Sequence, residues 1–210
     1  FVGIGKFVAI GLNYSDHAKE AGMAIPPEPI VFMKATTCIS GPNDDVIQPK
    51  RSTKLDWEVE LGVVIGKKAR YVSKEQALEH VWGYGVGLDM TRRDLQGEMK
   101  KQGRPWCIGK GFDQSAPIGP LRPITATGEL TRGAITLAVN GQLRQKGDLA
   151  DLIWNVAETI EQLSAAWVLQ PGDLIFTGTP EGVGPLAPGD RIDGRIEGVG
   201  TIVLHVGQPE

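Results

Sequence analysis

Cysteine is nearly absent. Cys38 and Cys107 are the only two in 210 residues, and neither lies in a CxxC or Cys/His cluster. That excludes a disulfide frame and a thiolate zinc site, and the pair read as reduced thiols of a cytoplasmic protein. Histidine is scarce as well, with only His17, His80 and His205, so the paired imidazoles of a zinc site are lacking. No apolar run reaches the roughly 18 residues needed to span a bilayer. The formal net charge is −3, which provides no basic field for nucleic acid or an anionic membrane. No internal repeat, low-complexity tract or signal peptide is visible, and because the chain opens at Phe1 without Met, a missing N-terminal segment is left open.

What the chain has in quantity is glycine and proline, 28 and 14 residues spread along its whole length. Such scatter fits many short strands joined by tight turns. The length is expected to form one domain over residues 1–210. Strands are expected over Phe7–Leu12, Ile30–Lys34, Trp57–Ile65 and Gly83–Met90, then near Asp173–Thr177, Asp190–Glu197 and Thr201–Val206. Asn13 or Ser15 is expected to cap a short helix, Asp16–Ala21, that Gly22 ends. Ser73 to Gln76 reads as a capping box opening a helix to about Val81. Arg92–Gln102 is a helix stopped by Gly103. Asn140-Gly141 predicts a type I′ hairpin. Leu149, Leu152, Ile153, Val156, Ile160 and Leu163 fall at helical spacing, which predicts an amphipathic helix from Asp148 to Trp167. The fold class is therefore mixed β with a few helices (α+β), without the βαβ alternation of a doubly wound sheet.

Chemistry concentrates in a few places. In the Trp57–Ile65 strand, alternation puts Val59, Leu61, Val63 and Ile65 on one face and Glu58 and Glu60 on the other. A lone E-x-E of this kind reads first as a solvent-exposed face, since adjacent like charges repel unless water or a cation absorbs the field. A second feature shifts that weighing. Gly83, Gly85, Gly87 and Asp89 share one face of the next strand, and three glycines mark close approach of a ligand or of another part of the sheet. Glu58, Glu60 and Asp89 together supply three oxygen ligands, which suit Mg²⁺ or Mn²⁺. His17 and Glu20 stand at i, i+3 on a helix face, where a carboxylate orients an imidazole as a general base; the competing reading is an ordinary surface pair. Lys110, between glycines in an apolar stretch, is either an oxyanion stabiliser or a solvated loop lysine. The Gly-rich run Thr177 to Pro185 offers backbone N–H groups to an anion but lacks the pattern of a nucleotide phosphate loop.

These pieces, in this order, resemble the fumarylacetoacetate hydrolase family, in particular its short acylpyruvase-like members. The resemblance runs from Gly11 to Asp190. It is carried by Asn13-Tyr14-Ser15-Asp16-His17-Ala18-Lys19-Glu20, Phe32-Met33-Lys34, Glu58-Val59-Glu60-Leu61, Gly87-Leu88-Asp89-Met90-Thr91, Arg93-Asp94-Leu95-Gln96, Lys110-Gly111-Phe112-Asp113 and the Thr177–Gly184 run. It implies a mixed β-sandwich roll, usually a homodimer. It implies that Glu58, Glu60 and Asp89 are metal ligands, that His17 and Glu20 are a catalytic pair on a lid-like segment, and that Lys110 is the active-site lysine. Arg93, Gln96 and Thr179 match positions near the substrate. Leu12 departs from the many acylpyruvase-like members that carry Arg or Ser before the Asn-Tyr. The activity implied is Mg²⁺-dependent hydrolysis of a C–C bond in a 2,4-dioxo acid, best fumarylpyruvate, to pyruvate and a carboxylic acid in aromatic catabolism. The same site chemistry also serves a 2-hydroxyhepta-2,4-diene-1,7-dioate isomerase or an oxaloacetate decarboxylase. A catalytically silent metal-binding relative is the reading of another class, and the presence of His17, Glu20 and Lys110 argues against it.

Overall fold

A computed structural model describes residues 3–41, 46 and 50–209. Its centre is a six-stranded sheet in the order Ile30–Lys34, Phe7–Gly11, Leu174–Phe176, Val59–Ile65, Val81–Leu88 and Arg122–Pro123. All neighbours are antiparallel except Phe7–Gly11 and Leu174–Phe176, which run parallel. A second, antiparallel sheet of four strands follows the order Gln142–Asp148, Ala134–Val139, Arg191–Ile196 and Gly200–His205. Val59, Leu61, Val63 and Ile65 from the first sheet join Ile135, Leu137, Ile192 and Ile202 from the second in one buried core. This is the sandwich that the family resemblance implies, with each sheet hiding one face against the other.

The long Glu-bearing strand is in fact two. Leu55–Trp57 and Val59–Ile65 belong to different sheets, and Glu58 is the break between them. Leu55–Trp57 pairs with Gly184–Pro185 on one side and Thr91–Arg92 on the other. The chain therefore changes partners at the residue that enters the site. The glycine face proves to be a packing device: a Cβ on Gly87 would lie 2.3 Å from the Phe176 ring, and one on Gly83 2.1 Å from the Arg122 carbonyl oxygen. Tight sheet packing, not ligand approach, explains those glycines.

Three helix boundaries differ from the sequence pattern. Neither Asn13 nor Ser15 caps the Ser15–Glu20 helix, whose N-terminal flank is Tyr14 with no side-chain cap. Ser73 likewise makes no capping bond, and its helix is only Lys74–Ala77 before a 3₁₀ turn. The amphipathic helix starts late, at Val156, under a full capping box of Asn155 and Glu158. The segment before it is held away from helical geometry by Asn13. The Asn13 backbone carbonyl accepts from Ile153 N at 2.9 Å, its Oδ1 accepts from Trp154 N at 2.7 Å, and its Nδ2 donates to the Trp154 carbonyl at 2.9 Å. Leu149 and Leu152 remain buried as the spacing requires, but from turn and extended conformations. The Asn140-Gly141 hairpin forms as expected, with φ of 51° and 77°.

Candidate active site

The parallel pairing of Phe7–Gly11 with Leu174–Phe176 carries two loops to the same end of the sheet. One loop leads through Asn13 into the Ser15–Glu20 helix. The other is the Gly-rich run after Phe176. Asn13 Nδ2 joins them by donating to the Thr177 carbonyl at 2.7 Å. Against these lie the Glu58 break and Asp89, just beyond the Val81–Leu88 strand, tied by Asp89 N donating to the Glu58 carbonyl at 2.9 Å.

Glu58, Glu60 and Asp89 each bring a carboxylate oxygen within 4.8 Å of the others, and all three side chains are buried. Three buried like charges demand compensation. Lys110 Nζ donates to Glu58 Oε2 at 2.8 Å, Asp89 Oδ2 at 2.6 Å and Thr91 Oγ1 at 2.7 Å. Arg93 pairs with Glu58 and, at 2.9 Å, with Asp56. Lys34 Nζ lies 2.5 Å from Asp89 Oδ1. Burial pushes the Glu58 carboxyl up, but Lys110 and Arg93 outweigh it and hold the group at about 2. Glu60 is different. Burial, reinforced by the charges of Asp89 and Glu58, pushes its carboxyl well above the usual range. It makes no ion pair with lysine or arginine among the described residues; Gly178 N donates to its Oε2 at 2.7 Å. Gly178 holds φ of +95°, a conformation suited to glycine. The anion that the Gly-rich loop cradles is thus the protein's own carboxylate.

A cluster of hard oxygen donors in which one buried carboxylate makes no ion pair among the described residues fits a divalent ion such as Mg²⁺ or Mn²⁺. His17 Nδ1 stands 3.1 Å from Glu20 Oε2, and Glu20 Oε1 accepts from Gly182 N at 3.1 Å. His17, the three carboxylates, Arg93, Gln96, Lys110 and Thr179 line one recess, while Glu20 lines the wider cavity outside it. Lys110 is buried and fully engaged, so it is no solvated loop residue. Arg93 and Gln96 bond each other at 3.2 Å, and Thr179 Oγ1 donates to the Val59 carbonyl at 2.8 Å. Phe32 and Trp106 add an aromatic wall, with ring centroids 5.7 Å apart.

Sequence reasoning missed Lys34 and Asn13 as site-building residues. The signal for Lys34 was a charge at the end of an otherwise apolar strand; its partner lies 55 residues away and no local pattern points to it. Burial drives the Lys34 ammonium pKa down, and Asp89 only partly restores it. Lys34→Met is expected to lower the unfolding free energy of the metal-free protein by about 1–3 kcal/mol, because Asp89 keeps Lys110 while its Oδ1 and the Ser115 carbonyl lose their buried donor. Denaturant titration measures this; a loss below 1 kcal/mol would show the pair to be dispensable.

Converging buried carboxylates beside an imidazole–carboxylate pair, in a recess at the end of a mixed sheet, are the equipment of an acid–base enzyme with room for a divalent metal. The family model for the C-terminal domain of fumarylacetoacetate (FAA) hydrolase matches residues 6–207, and the chain belongs to the fumarylacetoacetate hydrolase family. A fumarylpyruvate hydrolase from Pseudomonas aeruginosa, solved with Mn²⁺ and pyruvate, is 45% identical, covers 98% of this chain and 90% of its own, and superposes with a TM-score of 0.95. The 2,4-didehydro-3-deoxy-L-rhamnonate hydrolase of a Sphingomonas species is 47% identical over 208 residues, 95% of this chain and 72% of that protein. A 5-carboxymethyl-2-hydroxymuconate delta-isomerase from Mycobacterium smegmatis is 36% identical, covers 99% of this chain and 80% of its own, and has a TM-score of 0.88. The chain is an enzyme of this hydrolase and isomerase family, with the family's mixed β fold.

Proposed function

We propose that the protein hydrolyses the C–C bond of an acylpyruvate, with fumarylpyruvate the best candidate, as a single catalytic domain. The observation that carries the reading is the buried Glu58–Glu60–Asp89 cluster facing His17 across one recess. Glu58, Glu60 and Asp89 would hold Mg²⁺ or Mn²⁺. Such an ion supplies Lewis acidity and a fixed seat for the oxygens of a 2-oxo acid.

The remaining work falls to the chain itself. Glu20 accepts from His17 Nδ1, which leaves Nε2 as the proton acceptor. His17 takes a proton from water, and the resulting hydroxide adds to the 4-carbonyl carbon. The C3–C4 bond breaks, its electron pair passes to C3, and the fragments are a carboxylic acid and the enolate of pyruvate, which gains one proton. Burial works against the Lys110 charge, but Asp89 and Glu58 more than offset it and raise its ammonium pKa. Lys110 therefore stays cationic and favours the developing negative charge. Phe32 and Trp106 give the planar acyl chain an apolar wall and keep water from the leaving fragment.

An ultraviolet assay of fumarylpyruvate coupled to pyruvate detection tests this. Loss of the diketone absorbance should accompany stoichiometric pyruvate. Chelation should silence the protein, and Mg²⁺ or Mn²⁺ should restore it. Restoration by Zn²⁺ alone would contradict the oxygen-ligand assignment. The similarity to an isomerase favours a second reading. In that case the absorbance would shift without pyruvate appearing.

A further inference from the structure

The recess is small, about 50 Å³. It is adjoined by a cavity of about 370 Å³, and the two share His17, Arg93, Gln96 and Lys100 on their walls. The inner volume accommodates little more than the reacting end of a 2-oxo acid, so the rest of the substrate extends into the outer cavity. The charges there are unevenly used. Arg93 is committed to Asp56 and Glu58. The anions on that wall are committed too: Asp56 to Arg93, and Glu20 to His17 and Gly182 N. Lys100 and Lys54 also line the outer cavity, and neither ammonium makes an ion pair among the described residues. Lys100 is exposed at the cavity rim, and partial desolvation together with the Arg93 charge pushes its pKa down. Lys54 partly offsets the Asp56 charge on the same wall, so the positive charge left over in the outer cavity is chiefly that of Lys100.

We propose that Lys100, with Lys54 from the same cavity, binds a second carboxylate at the far end of the substrate and makes the enzyme selective for dicarboxylic over monocarboxylic acylpyruvates. This rests on the hydrolase reading above. Lys54 and Lys100 are exposed, so a lysine–carboxylate contact there has the strength of a surface pair, up to about 1 kcal/mol. Its effect is about three- to fivefold, equivalent to about 0.7–1 kcal/mol.

The test compares fumarylpyruvate with acetylpyruvate, which lacks the second carboxylate, in Mg²⁺-loaded protein. For Lys100→Gln, the kcat/KM ratio of fumarylpyruvate to acetylpyruvate should fall about three- to fivefold. The change should appear mainly in KM, and Lys100→Arg should restore the ratio. Glutamine and lysine have similar helix propensity, so the Arg93–Lys101 helix is retained. Lys101→Gln, exposed on the same helix and outside the cavity, should keep the wild-type ratio. An unchanged ratio in Lys100→Gln overturns the proposal while leaving the hydrolase reading intact. If wild-type protein releases pyruvate from neither substrate, the hydrolase reading fails and takes the proposal with it.

Discussion

Glu60→Gln is expected to lower Mn²⁺ or Mg²⁺ affinity by more than roughly 100-fold, beyond what loss of an outer-sphere contact costs, and turnover should fall with it. In the same variant the metal-free protein should become more stable. The two effects share one cause. Glu60 is buried, surrounded by Asp89 and Glu58, and left without a lysine or arginine ion pair among the described residues. Its ionised form is therefore the costliest charge in the cluster until a cation arrives. Glutamine retains an oxygen that can accept from Gly178 N but carries no charge. Relief of about 1 kcal/mol would raise the melting temperature by about 2–4 °C in a chain of this length. Titration calorimetry with Mn²⁺ and thermal unfolding after chelation measure both quantities. Unchanged affinity would remove Glu60 from the ligand set. A lower melting temperature without metal would mean that its charge is compensated after all.

His17→Ala is expected to reduce hydrolysis by roughly 10²- to 10⁴-fold, the usual contribution of a positioned general base. Mn²⁺ affinity should change little, because His17 is not one of the three clustered carboxylates. If activity and affinity fall together, His17 supports the site structurally instead. Glu20→Gln should fall between wild type and His17→Ala. It weakens the hold on Nδ1 and also disturbs the contact with Gly182 N that links the Ser15–Glu20 helix to the Gly-rich loop. A pre-steady-state assay separates the two influences: orientation of the base alters the chemical step, while a loosened helix also alters substrate capture.

Much of this site is legible in one dimension because its key spacings are local. Glu58 and Glu60 are two apart, and His17 and Glu20 are three apart on a short helix. The apolar set Val59, Leu61, Val63 and Ile65 identifies the core face of its strand through period-2 alternation alone, and the Asn140-Gly141 turn follows from backbone sterics. The motif order from Asn13 to Gly184 points to the family without any contact being known. In each case the determining interaction lies within a few residues along the chain.

The rest depended on where the topology brings distant segments. Parallel pairing of Phe7–Gly11 with Leu174–Phe176 sets Asn13 beside residues 153, 154 and 177, and its hydrogen bonds there displace the start of a helix that periodicity alone extends to Asp148. The glycine face is ambiguous along the strand, and only the Phe176 ring against Gly87 decides for packing. Sequence by itself determined the fold class, the family and the carboxylates available. Tertiary structure decided how their charges are balanced: Lys34, Arg93 and Lys110 reach Glu58 and Asp89 across 55, 35, 52 and 21 residues, while among the described residues Glu60 makes no ion pair and accepts from a backbone N–H. The physical reason is that periodicity records which face a side chain takes, whereas a buried charge is stabilised by whichever partner the fold places within about 3 Å of it.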